Sequence, residues 1–274
     1  MNTVQHLTAR QTCSTSEPFD EIAPAYDRLF TESAIGRAQR EQVMAEMNRR
    51  FRAGDAVLEL NCGTGEDALA LARRGVAVRA YDASGAMIEV ANQKLRASQF
   101  RENLRFGVLR NENIDRIQGQ FDGALSNFAG MNCCRDWSGI AENLARLIRP
   151  GGHLLLCIMG RACAWEIVWF LIRGQWRRAF RRTSGRQAAR IGTGSVDVYY
   201  ASVREARRAF SSGFTLCGWR GIGVLVPPSY CEAAMKNRQN LLRGLGSIDF
   251  GIGHIPGIRS LGDHVLLDFV RRPV

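Results

Sequence analysis

The sequence predicts an α/β protein, a mostly parallel sheet with helices on both faces. Three observations predict it. Val57-Leu58-Glu59-Leu60 is an apolar run that ends in the glycine turn Asn61-Cys62-Gly63-Thr64-Gly65, and a helical pattern follows from Ala68 to Arg74. Val76 to Asp82 reads as a second strand that also ends in a carboxylate. Apolar runs and helical periods then keep alternating, through Leu104–Val108, Phe121–Asn127 and His153–Met159, as parallel α/β sheets require.

Taken in order, Phe19 to Phe30 interleaves aromatics with charge, and Glu32 to Phe51 carries Ile35, Ala38, Val43, Met44 and Met47 at helical spacing. Gly54-Asp55 is the turn before the first strand. Gly63 and Gly65 tolerate positive φ and leave no side chain to block a ligand. The helix after them aims unpaired N–H groups at the loop. Asp82 falls about 20 residues past the start of that loop, where a carboxylate can accept from both hydroxyls of a ribose. Ser84 is placed to cap a helix whose apolar face is Met87, Ile88, Ala91 and Leu95. Trp137 to Ile148 is helical and stops at Arg149-Pro150-Gly151-Gly152.

The pattern changes after residue 160. Trp165 to Ile172 is an apolar helix, and Arg173, Arg177, Arg178, Arg181, Arg182, Arg186 and Arg190 follow it. This stretch is too long for a strand–helix link, so it reads as a helical lid. Val196 to Tyr200 alternates like a strand, Ser202 with Glu205 forms a capping box, and Phe214 to Val226 is the sixth sheet strand. A second insertion covers 227–262, and Val265 to Val270 closes the sheet. The domain reading is therefore a flexible tail 1–17, a core 18–160, an arginine-rich lid 161–194, and the rest of the sheet over 195–274.

At 274 residues the chain suits one elaborated domain. Its formal charge of +11 is carried by arginine, with Lys94 and Lys236 the only lysines, and favours anionic partners. Nothing in 1–17 resembles a signal peptide, and Arg161 and Glu166 interrupt the most apolar stretch, Leu154 to Ile172. The eight cysteines are scattered without a C-x-x-C pair. We read them as reduced thiols of a cytoplasmic protein and expect no metal.

The dehydrogenase fingerprint fails at Ala68, where its third glycine would stand. What stands instead is acidic-x-Asn-Cys-Gly-Thr-Gly, then Asp82, then Ser84-Gly85-Ala86-Met87-Ile88. This resembles the class I methyltransferases that use S-adenosylmethionine, with Asn61 in place of the first motif glycine. The resemblance covers about 19–160 and includes the Pro-Gly-Gly turn before the fifth strand. It implies a Rossmann-like seven-stranded sheet whose last strand is antiparallel. It also implies cofactor contacts from Tyr26, Arg37, Glu59, Asn61, Cys62, Gly63, Gly65, Asp82, Ala83, Met87, Asn111, Glu112, Ser126 and Asn127. For Tyr26 and Met87 plain core packing competes with that role, and for Arg37 a solvated helix face does.

Ligands of an open parallel sheet sit beyond the carboxyl ends of its strands. An antiparallel last strand would bring Asp263 and His264 to that edge. Methyl transfer needs a base only if the acceptor must lose a proton; His264, Glu166 and Asp263 are the candidates, with His254 in reach from the second insertion. Phe128, Asn132, Arg161, Trp165, Tyr200 and Tyr230 are the candidates for holding the acceptor, a small molecule on which the arginines would favour an anionic group. No Asn-Pro-Pro-Tyr stands at the fourth strand end, so a nucleic-acid acceptor is not expected; Pro227-Pro228-Ser229-Tyr230 comes far too late. The alternatives are an RNA or protein methyltransferase that grips through the arginines, a nicotinamide-dependent oxidoreductase, and a non-enzymatic docking protein.

Overall fold

The protein is described by a computed structural model over residues 17–273. The tail expected over 1–17 lies, but for Glu17, outside the described residues. One sheet of seven strands forms the centre, in the order β3-β2-β1-β4-β5-β9-β8. The strands are β1 (Ala56–Leu60), β2 (Ala77–Asp82), β3 (Leu104–Val108), β4 (Phe121–Ser126), β5 (Ile148–Ile158), β8 (Phe214–Ile222) and β9 (His264–Arg271). Only β9 runs against its neighbours, as the family resemblance implied.

Successive side chains of a strand point to opposite faces, and both faces are filled. Leu58, Leu60, Ala124, Leu154 and Leu156 pack on one side, with Ile140, Leu144 and Leu147 of α5 (Ser138–Leu147) and with Phe210 beyond α8 (Val203–Ala209). Val57, Leu125, Leu155 and Cys157 pack on the other. Their partners are Val43 and Met47 of α2 (Ala34–Arg50), Leu71 of α3 (Glu66–Arg73) and Ile88 of α4 (Gly85–Arg96). Two-sided burial is why these strands are near-continuous apolar runs. Ser84 accepts from the Met87 N–H, and Ser202 with Glu205 closes a full capping box, as the sequence predicts. A short turn, α1 (Ala23–Tyr26), precedes α2 and continues as a π-turn to Thr31.

The first insertion departs from the expected helical lid. Helices α6 (Ala164–Ile172) and α7 (Trp176–Ala179) are there, but the rest is a hairpin of β6 (Arg186–Ile191) and β7 (Gly194–Tyr199), so the lid runs across residue 194. The two-residue turn Gly192-Thr193, with Gly192 at φ 56°, suits a tight hairpin. In β6 exposed Arg186, Ala188 and Arg190 alternate with half-buried Gln187, Ala189 and Ile191; that alternation is a strand period hidden inside a charge run. The second insertion contains α9 (Glu232–Met235) and α10 (Gln239–Ile252). Buried Asp249 of α10 accepts from the Leu225 and Val226 N–H groups at 2.7 and 3.1 Å, which pins it to the chain beyond β8. Among the described residues no helix is long and apolar enough to cross a membrane.

Candidate active site

Strand register sets the site. Leu60 pairs with Tyr81 and with Ser126, so Asn61, Asp82 and Asn127 come together just past three strand ends. Ile158 pairs with Val265, which puts His264 beyond the end of β5 on the same edge. A cavity of about 800 Å³ opens there and reaches beneath the hairpin.

At one end of it Asp82 accepts from the Gly63 N–H at 2.8 Å and from the Ser84 N–H at 2.9 Å. Burial pushes its carboxyl up, against the N–H groups of Ser84, Gly63 and Ala83. Asn61 sits at φ 57°, the left-handed conformation that asparagine tolerates. Its Oδ1 accepts from Ser126 Oγ at 2.9 Å and Asn111 Nδ2 at 3.3 Å, tying three strand-end loops together. A Cβ on Gly130 would meet Asn61 at 2.3 Å, so the facing loop needs glycine. Cys62, Ala83, Met87, Asn111 and exposed Glu112 all line this end.

Nearer the middle, Glu59 is buried and its Oε2 lacks a partner among the described residues. Burial, then the Asp67 charge, hold its carboxyl well above the usual range. Arg40 pairs with Asp67 at 2.5 Å, and Asn127 Nδ2 donates to the other oxygen of Asp67 at 2.8 Å. The Arg40 guanidinium lies 4.7 Å from the Phe128 ring centroid, and the His264 ring meets the same ring edge-on at 5.5 Å. Phe128 and Ala129 are both left-handed, at φ 43° and 67°. Such conformations in non-glycine residues cost about 1–3 kcal/mol each and concentrate at functional sites.

The far end is walled by Phe30, Ile35, Met159 and Tyr230, and by the hairpin's inner side chains Ala189, Ile191, Val196 and Val198. Its polar groups form one buried network. Arg182 donates to Glu166 at 3.0 Å and to the Asp263 carboxylate and carbonyl, each at 2.8 Å. Gln39 Nε2 reaches the other Asp263 oxygen at 3.3 Å. Burial pushes the Asp263 carboxyl up, but His264, Arg182 and Gln39 outweigh it and hold it below the ordinary range. Burial lowers the His264 imidazole and Arg182 lowers it further, against Asp263, so the ring is neutral near pH 7. Its Nδ1 lies 3.6 Å from Asp263 and has no hydrogen bond among the described residues.

Several expected placements need correction. Arg37 is exposed and lines only a neighbouring cleft; Arg40, one turn on, is the arginine of α2 that lines the cavity. Glu166 does not reach the cavity: it is buried between Arg181 and Arg182 as a structural anion. Arg161 faces outward onto Glu205. The Trp165 indole donates to the Leu225 carbonyl at 2.9 Å, and Tyr200 is buried beside Arg182. Asn132 donates to the Met159 and Tyr199 carbonyls at 2.9 and 2.7 Å, clipping β5 to β7. Ser126 is spent on Asn61, and Gly63 and Gly65 shape the turn without walling the cavity. His254 lines a separate cleft with Arg220 and Phe250. Tyr26, Phe128, Asn127 and Tyr230 do line the cavity, and Tyr26's phenol is pushed up to about 12 by burial. Burial also lifts the Cys157 and Cys163 thiols to about 12, so they are neutral packing groups. Among the described residues no cluster of three His, Cys, Asp or Glu side chains could hold a metal ion.

The cavity opens where the strand order reverses, with a carboxylate at the second strand end, the place where open α/β sheets bind their ligands. Residues 57–152 match the family described as a methyltransferase domain. The demethylmenaquinone methyltransferase of Clavibacter sepedonicus is 31% identical over 142 residues, covering 52% of this chain and 56% of that protein. The chain thus spans a little over half the length of the curated relatives it matches. Among solved structures, the cyclase SpnF superposes with a TM-score of 0.61 at 15% identity over 93% of this chain and 94% of its own. A SAM-dependent methyltransferase of Methanosarcina mazei gives 0.57 at 16% identity over 84% and 97%. Residues 57–152 are thus similar to a methyltransferase domain, and the fold is the one that solved S-adenosylmethionine-dependent methyltransferases share.

Proposed function

We propose that the protein transfers a methyl group from S-adenosylmethionine to a small, largely apolar molecule held under the hairpin, as a step in a biosynthetic pathway. One observation carries the reading: a single cavity runs from Asp82 to the hairpin's apolar face, with Phe128 and His264 where its two ends meet. The residues present fit the cofactor. Glu59 Oε2 and Arg40 Nε are both buried without partners among the described residues, polar valences suited to the amino-acid end of such a ligand.

The cofactor brings a methyl already activated on a sulfonium, so the chain's work is proximity and orientation. Asp82 would hold the ribose hydroxyls, its angle fixed by its backbone donors. Met87, Asn111 and Glu112 would hold the adenine, and Arg40 the carboxylate. Neutral His264 takes a proton from the acceptor if the acceptor must lose one. Arg181 and Arg182 are committed to Glu166 and Asp263, so the acceptor we propose is neutral at that end. We also place the protein in the cytoplasm; the seven described cysteines are all free thiols, which suits a reducing compartment.

The test is calorimetric titration with S-adenosylhomocysteine, followed by turnover of methyl-labelled cofactor on a panel of lipophilic phenols and quinols. Saturable binding that competes with S-adenosylmethionine, and label on at least one acceptor, is the expected result. Absence of cofactor binding overturns the reading.

A further inference from the structure

The lid contains a helix built inside out. In α6, Ala164-Trp165-Glu166-Ile167-Val168-Trp169-Phe170-Leu171-Ile172, the one charged side chain is the one buried residue. Glu166 is 1% exposed, whereas Val168 is exposed and Ile172 is 79% exposed. Beyond it Trp176, 66% exposed, and Phe180 present two more large apolar groups at helical spacing. A helix that buries its acid and shows its aliphatics to water forgoes the burial that normally stabilises an amphipathic helix. Something apolar must cover that face.

Charge says what. Arg173, Arg177 and Arg178 stand between the exposed apolar groups, and none has a carboxylate partner among the described residues. The Arg173 guanidinium lies 3.4 Å from the Trp169 ring centroid and donates to the Trp169 carbonyl at 3.3 Å. The stretch from Ile167 to Arg182 contains five arginines and no acid. Exposed Trp and aliphatic side chains interleaved with unpaired arginines are the composition of a segment that lies in a bilayer interface, apolar groups in the acyl boundary and cations at the phosphates.

We propose that α6 and α7 dock the protein on the surface of an anionic lipid bilayer. The docking face abuts the cavity. Tyr230, on the cavity wall, packs against Trp169 at 6.1 Å and Phe170 at 5.9 Å between ring centroids. A lipophilic acceptor therefore reaches the far end from the membrane side; this second clause rests on the methyl-transfer reading, the docking does not.

The test is co-sedimentation of the full chain with vesicles of phosphatidylglycerol and phosphatidylcholine, against vesicles of phosphatidylcholine alone. The expected result is binding to the mixed vesicles, weakened at least 10-fold in a Trp176→Ser, Ile172→Ser double variant. An Arg173→Gln, Arg177→Gln, Arg178→Gln variant should lose the preference for the anionic vesicles. Trp emission should shift to the blue on vesicle addition, and less so in Trp176→Phe. Calorimetry with S-adenosylhomocysteine on each variant reports folding and the cofactor site separately. No sedimentation with either vesicle overturns the proposal. So does binding that heparin or polyglutamate competes away completely while the apolar double variant binds as well as the parent, for then the arginines serve an acidic polymer.

Discussion

The two ends of the cavity are held by different means. The Asp82 end hangs on the backbone: Asp82 is fixed by two main-chain N–H groups, and its loops spring from strands whose pairing sets their height. The end under the hairpin hangs on side chains. Glu166, Arg182, Asp263 and Gln39 join α6, the turn at 181–184, β9 and α2 through one buried network, and the hairpin tip rests on Glu21, which accepts from Thr193 at 2.8 Å. A site held by backbone geometry survives changes in most neighbouring side chains. A site held by an ion network depends on each member, because an unpaired buried charge costs more than the pair contributes.

The contrast can be tested hardest where the ends meet. His264→Gln is expected to lower kcat about 10²–10⁴-fold if the acceptor loses a proton, the range for a positioned general base, with S-adenosylhomocysteine affinity unchanged. A parent-like kcat would leave His264 as packing for Phe128. The rate should fall as pH drops through the lowered His264 value, below the ordinary value of about 6.5. The linkage has the same direction. Between those values the unfolded chain binds a proton that the folded one refuses, so stability declines as pH falls from about 6.5. Asp263, held low in the folded state, adds a loss at still lower pH, as it is protonated.

Next in size, Arg182→Met should cost about 3–5 kcal/mol in denaturant unfolding, because Glu166 and Asp263 stay buried without their shared partner. A cost below about 1 kcal/mol, the usual worth of an exposed pair, would mean that apolar packing, not the network, holds the lid. Asp82→Ala should weaken S-adenosylhomocysteine roughly 100-fold, the scale of one or two hydrogen bonds to a charged group; unchanged affinity would remove the ribose from this end. The smallest effect separates neighbours: Arg40→Leu is expected to weaken the same ligand about 10-fold and Arg37→Leu not at all. Equal effects would return Arg37 to the site.

Legibility followed the same division. The acidic-x-Asn-Cys-Gly-Thr-Gly turn, Asp82 and the Ser84 cap lie within one strand–turn–helix–strand unit, where local spacing already sets three-dimensional placement. Arg40 was legible in principle. It flanks the buried stripe Ile35, Gln39, Val43 and Met47, whereas Arg37 falls outside it, and two glutamines on a buried face were a sign of a polar cavity. The fate of Glu166, Arg161 and Tyr200 was not legible, since each depends on a partner chosen by the fold.

By itself the sequence determined the layered α/β sheet, its strand ends and the glycine turn, because periodicity and turn chemistry act over a few residues. The family resemblance, through its antiparallel last strand, also put His264 at the edge beyond β5. Only the tertiary structure decided that half of the lid is a hairpin, that Arg182 unites Glu166 with Asp263, and that Arg40 rather than Arg37 faces the cavity. The Arg182–Asp263 pair spans 81 residues and leaves no period in the chain, whereas the hairpin has a local strand period that its charge run masks.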